Sequence, residues 1–237
     1  MHTALASLAL VGMVAVPASG LAGPWAREKG RVFLTLSQQQ DGAGESWTGL
    51  WAEYGLTPRI TLGLDAGRSG RGDGKLILWA QKAWERGPHR IAASAGLGAV
   101  RLEGALAPLA QLGGAWGRGI ETRFGPGWLA IEMRGIVTGR NVTFEQRLDA
   151  QTVATVAYLV PETSAKAELT LGLSPRDRLK VIEQLQLEYG RDSGFEARLA
   201  TSLVYDLARP TKLEMGLILP IESASEPALK LGLWLEF

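Results

Sequence analysis

From about residue 30 to its last residue the chain alternates apolar and polar positions with a period of two. In "ITLGLDAG", Ile60, Leu62, Leu64 and Ala66 fall on one side, and Thr61, Gly63, Asp65 and Gly67 on the other. "AKAELTLGL" sets Ala167, Leu169, Leu171 and Leu173 against Lys166, Glu168, Thr170 and Gly172. "KLEMGLIL" sets Leu213, Met215, Leu217 and Leu219 against Lys212, Glu214 and Gly216. Successive side chains of a strand point to opposite faces, so this is strand periodicity and not the 3.6-residue repeat of a helix. It predicts strands at roughly 31–38, 46–56, 59–68, 75–84, 89–99, 107–117, 127–138, 165–173, 178–190, 194–207, 211–219 and 228–237, about twelve in all. The stretch 141–160, "NVTFEQRLDAQTVATVAYLV", reads either as an extra hairpin turning near Asp149, which would make fourteen, or as a long loop.

Two kinds of connection separate the strands. Some are very short and place a proline beside an arginine: "LTPRI", "SPRDR" and "ARPT". Others are longer and rich in glycine or polar residues: "QQDGAGES", "GRSGRGDG", "GRDSG" and "ESASEP". Their alternation is the rhythm of an up-and-down meander, with tight turns at one end and longer loops at the other. A soluble β-sandwich also alternates, with its apolar file as the core. Here the apolar file is leucine-rich and nearly unbroken, while the other file holds Gly, Thr, Ser and charges of both signs. A closed barrel in lipid requires that arrangement, because every backbone group must be paired and no sheet edge left open. Trp84, Trp128, Tyr54, Tyr189, Tyr205 and Phe237 fall near strand ends, where aromatic residues form interfacial girdles. The expected fold is therefore all-β: one closed, antiparallel, up-and-down transmembrane β-barrel.

The N-terminal "MHTALASLALVGMVAVPASGLAG" changes the picture of location. It is apolar from Thr3 to Val16, broken at Pro17, and offers small residues before a cleavage point near Ala22. We read residues 1–22 as a secretory signal peptide and 23–237 as the barrel. A single membrane anchor is the alternative, and the lack of Lys or Arg before the apolar run departs from the signal-peptide pattern. The 237 residues include no cysteine, which excludes disulfides, thiolate metal sites and a lipoprotein anchor. The formal net charge of +1 offers no basic face for nucleic acid.

The chain ends "LKLGLWLEF". Leu229, Leu231, Leu233, Leu235 and Phe237 form one apolar file that finishes on an aromatic. This strand resembles the C-terminal strand of Gram-negative outer-membrane β-barrel proteins. The resemblance implies a small porin-like barrel in the outer membrane, and partners in outer-membrane lipid and in the insertion machinery that reads the last strand.

Candidate chemistry is sparse. Histidine-dependent hydrolysis needs an oriented imidazole, and only His2 and His89 are present. His89 falls in the turn "ERGPHR", so an enzyme is not expected, and no cofactor or metal is expected. "GRSGRGDGK" matches neither the P-loop spacing nor the dinucleotide fingerprint. Asn141-Val142-Thr143 is a glycosylation sequon without meaning in a bacterial envelope protein. The inward file carries the remaining interest. Glu53, Arg59, Asp65, Arg90, Glu132, Arg134, Glu168, Lys180, Glu188, Glu196, Arg198, Asp206, Lys212, Glu214 and Lys230 are expected to line the lumen. Trp47, Trp51 and Trp79 are candidates to face inward with them. These charges suit either a narrow channel for small hydrophilic solutes or a salt-bridged, filled interior that serves a structural or interaction role.

Overall fold

A computed structural model describes residues 23–102, 104–147, 153–190, 194–222 and 226–237. The expected signal peptide and the turn near Asp149 lie outside them. The described chain is a closed antiparallel barrel of twelve strands. In order these are β1 (Val32–Asp41), β2 (Ser46–Thr57), β3 (Ile60–Ser69), β4 (Gly74–Arg86), β5 (His89–Leu102) and β6 (Ala105–Thr122). There follow β7 (Gly125–Arg147), β8 (Val153–Arg176), β9 (Leu179–Gly190), β10 (Gly194–Ala208), β11 (Thr211–Glu222) and β12 (Ala228–Glu236). Each strand pairs with its neighbours in sequence. The ring closes where β1 meets β12, from Phe33 opposite Glu236 to Asp41 opposite Ala228. Phe237 donates its backbone N–H to the Val32 carbonyl at 2.9 Å and accepts one from Val32 at 3.1 Å. The chain's final strand is regular because it is a seam that both termini complete, at the tight-turn end.

The ambiguous stretch 141–160 adds no strands to the barrel. It extends β7 and β8, which stay paired from Gly127 opposite Leu173 out to Arg147 opposite Val153. β6 pairs with β7 only as far as Leu109 opposite Thr138, and β8 with β9 only as far as Ser164 opposite Gly190. Beyond those points the pair projects as a two-stranded ribbon on the loop side. Periodicity reads only the part of a strand whose two faces meet different surroundings. Past the apolar band both faces of the ribbon leave the wall, and the alternation that marks a strand is no longer required.

The apolar file faces out. Leu97 and Leu112 are each 70% exposed, and Leu78, Leu106, Met133, Leu229 and Leu231 share that surface. Aromatic residues flank the band. Tyr54, Trp84, Phe124, Tyr205 and Phe237 stand outward towards the tight turns; Tyr189 and Phe195 do so towards the loops. Trp128, expected in this girdle, is instead buried inside the barrel. Polar pairs interrupt the outer face: the Thr201 hydroxyl donates to Glu183 at 2.6 Å, and nearer the loops the Thr48 hydroxyl donates to Gln38 at 2.5 Å.

Candidate functional site

The interior is built from the inward file of all twelve strands. Its tryptophans lie flat on the wall because glycines face them. Trp128 is directly opposite Gly172, and Trp79 directly opposite Gly63. A Cβ on Gly172 would fall 2.1 Å from the Trp128 ring, and one on Gly63 would fall 2.0 Å from the Trp79 ring. Trp47 covers Gly67 in the same way, at 2.2 Å. An indole can therefore occupy the lumen without crossing it. Trp51 and Trp79 stack with ring centroids 5.0 Å apart.

At the tight-turn end the lumen is filled. Phe33, Trp128, Ala130, Ile182, Val204 and Trp234 form one buried apolar cluster, with Trp25 and Trp51 packed against it. Phe33 and Trp234 meet edge to face at 5.6 Å. Trp25 belongs to a segment that the strand pattern leaves unassigned. Residues 23–27 enter the barrel and lie across its floor, and exposed residues 28–31 lead from them to β1. The Gly23 carbonyl accepts a hydrogen bond from the Gln81 side chain on β4 at 2.9 Å. Pro24 is fully buried. The Arg27 backbone N–H donates to Thr61 Oγ1 on β3 at 2.9 Å. Its guanidinium pairs with Glu53 on β2, with Nε at 2.9 Å, and lies 4.7 Å above the Phe33 ring. The Trp51 indole N–H donates to the other Glu53 oxygen at 3.0 Å. Gly117 on β6 leaves the room this segment occupies, since a Cβ there would come within 2.7 Å of both Pro24 and Trp25.

Above this plug the wall is polar. Asp65 and Lys75 pair at 2.6 Å. Glu168 accepts from Gln184 at 2.7 Å and from Thr170 at 3.3 Å. Glu214, almost fully buried, accepts from Ser202 at 2.8 Å, Lys230 at 2.7 Å and the Trp234 indole at 2.9 Å. Lys166 pairs with Glu188 at 2.8 Å, and Arg198 pairs with Glu196. Glu132 and Arg134 line a small cavity of about 30 Å³ with Trp51, Trp79 and Gln81. Nearer the loops a larger cavity of about 240 Å³ is bounded by Trp47, Gln39, Gln184, Gln186, Arg198 and Lys230. Charges of both signs are interleaved throughout.

The remaining candidates sit at the rim. Lys212 bridges Glu236 at 3.1 Å and Asp206 at 3.7 Å, with Lys180 on the same inward file near the turns. Arg90 pairs with exposed Glu85 at 3.4 Å and donates to the Gly87 carbonyl at 3.0 Å, so it closes its own turn at the mouth. Arg59 is an exposed turn residue outside the lumen. Its position before Ile60 puts it beyond the strand, where inward and outward lose meaning. His89 accepts a hydrogen bond from the Trp116 indole at 3.2 Å and packs on that ring. Among the described residues no group of three or more His, Asp or Glu gathers to hold a metal. The reading by charge missed the neutral wall amides Gln81, Gln111 and Gln184, which are buried on the inward file beside Thr61, Thr170 and Ser202. It also missed Arg27. The signal was available: "PWAREK" places a tryptophan and an arginine between the apolar N-terminal stretch and the first strand.

No protein-family model and no curated protein matches the chain. Solved structures do. An outer-membrane channel from Pseudomonas putida F1 superposes with a TM-score of 0.61 at 12% identity, covering 92% of this chain and 99% of that one. The KdgM porin, in complex with disordered oligogalacturonate, gives 0.60 at 8% identity over 87% and 99%. The NanC porin gives 0.57 at 10% identity over 85% and 98%. The chain thus has the fold of small outer-membrane porins, and at these identities the likeness is one of fold.

Proposed function

We propose that the mature barrel sits in the outer membrane of a Gram-negative bacterium and is a narrow porin-like channel for passive passage of small hydrophilic solutes. The observation that carries this reading is the inner wall from the plug to the loops. It is lined by paired charges, amides and hydroxyls, while the leucine file faces outward. A polar, hydrated wall lowers the cost of moving a hydrophilic solute through a low-dielectric slab, and mixed signs favour neither anions nor cations strongly. Twelve strands lie between eight-stranded barrels, which side chains fill, and the 16–18-stranded porins that hold wide channels. A narrow path is what that number allows.

A second reading has its own support. The apolar cluster and residues 23–27 fill the tight-turn end, as expected of a structural or interaction barrel without transport. Conductance separates the two. The mature chain is folded into detergent, checked for heat-modifiable mobility and added to a planar bilayer. Discrete steps that scale with salt are the channel's expected result. A silent bilayer from correctly folded protein would sink the channel reading and leave the filled barrel.

A further inference from the structure

The tight turns pose a question that neither a pore nor a filled lumen answers. All five carry arginine at or beside the turn: Arg59, Arg86, Arg123, Arg176 with Arg178, and Arg209. All six side chains are exposed. The described connections at the other end hold both signs, with Arg71 paired to Glu45 and Asp73 in the same loop as Arg71.

The geometry points to a docking belt for the headgroups of anionic phospholipids around the tight-turn rim. This rests on the outer-membrane reading above, in which short turns face the periplasmic leaflet. Three basic side chains lie over outward aromatic rings of the girdle on that side. Arg123 is 4.6 Å from the centre of Phe124, Arg178 is 5.3 Å from Tyr205, and Lys82 is 5.6 Å from Trp84. Aromatic rings at this depth lie among headgroups, so a cation held on one is placed where a lipid phosphate sits. The guanidinium groups of Arg59, Arg86, Arg176 and Arg209 make no hydrogen bond or ion pair with a described residue. No described residue pairs with their charge, and a phosphate offers the paired oxygens a guanidinium fits. The turns are spread around the whole ring, alternating with the loops in strand order. No compact acidic ligand could reach them all, whereas an annulus of lipids meets each one. An acidic protein partner would gain nothing from cations laid on lipid-facing rings.

The test uses indole quenching by brominated lipids, which reports the lipids next to the barrel without requiring conductance. The mature chain is inserted into phosphatidylcholine vesicles containing brominated phosphatidylglycerol or brominated phosphatidylcholine, and relative binding is measured at low and high salt. Expected is a several-fold preference for the anionic lipid, weakened by salt, with each facing arginine contributing up to about fivefold. A variant carrying Arg59→Gln, Arg86→Gln, Arg123→Gln and Arg209→Gln should lose most of it. Arg178 is kept because it also donates to the Asp206 carbonyl. Arg71→Gln, at the loop end, should leave the preference intact. Arg123→Gln alone covers the case in which the fourfold variant fails to fold. Equal binding of both lipids by wild type, or an unchanged preference in the fourfold variant, would overturn the belt. So would loss of the preference on adding millimolar inorganic phosphate, or a requirement for an acidic protein. A heat-modifiable barrel that inserts and shows no preference removes only the belt. A chain that never inserts removes the membrane reading beneath it.

Discussion

Glu214 shows how one lumenal residue is made tolerable. Its carboxylate takes a hydroxyl, an ammonium and an indole N–H at once, so its burial is compensated on three sides. Breaking a buried pair by removing one partner usually costs about 3–5 kcal/mol, because the other charge is stranded. Glu214→Ala strands Lys230 and the Trp234 N–H, and a loss of that order is expected in urea unfolding of the barrel in lipid. Glu214→Gln keeps an acceptor for Ser202 or Trp234, and a smaller loss of about 1–2 kcal/mol is expected. The glycines opposite the tryptophans invert the problem, since the demand there is for space. A Cβ on Gly172 would overlap the Trp128 ring at 2.1 Å, and both wall and indole are fixed. Gly172→Ala should therefore destabilise by about 1–3 kcal/mol, read by unfolding, with a shift in tryptophan emission as the ring is displaced.

At the scale of elements, residues 23–27 decide how the lumen ends. The segment is tied to β2, β3 and β4 by Arg27 and Gly23, and it is packed on the cluster by Trp25. A variant secreted with residues 23–29 removed should show larger single-channel steps than the intact chain. Equal steps in the two would mean that the path does not run past the plug. The plug was also the element least legible from sequence. Each of the twelve strands is visible because one face meets lipid and the other meets the lumen, which writes a period of two into the chain. The last strand is the clearest case, with Leu229 to Phe237 in a single file. A short segment that buries Pro24 and Trp25 while hydrogen-bonding through its backbone writes no period at all. The same logic explains Trp128. An aromatic residue three positions into β7 reads as girdle from its place near a strand end, although it shares the parity of Glu132 and Arg134, and the glycine across the ladder makes the room for it inside. Mixed charges on the inward file were readable, but their pairing was not, because partners such as Asp65 and Lys75 depend on register between strands.

At the scale of the whole molecule, the outward leucine file separates a barrel in lipid from a sheet in water. Leu97 is 70% exposed and lies towards the middle of β5, away from both girdles. In a bilayer, an arginine at the midplane of a barrel's lipid face costs about 2–4 kcal/mol, and the cost falls towards the interfaces. On a sheet face turned to water, the same surface substitution stays within about 0.5 kcal/mol. Leu97→Arg should thus weaken the folded barrel in lipid vesicles by roughly the larger amount. Leu106→Arg, near the loop end of β6, should cost less. That ordering follows from depth alone and depends on neither a solute nor an open lumen. Equal and negligible effects at both positions would mean that the leucine file does not meet hydrocarbon. The Thr201–Glu183 pair offers the reverse substitution on the same surface. A carboxylate facing hydrocarbon is held there by one hydroxyl, so Glu183→Leu should stabilise the barrel in lipid and have little effect in detergent. Gain at Glu183 together with graded loss at Leu97 and Leu106 would map the apolar band directly, from the stability of three variants.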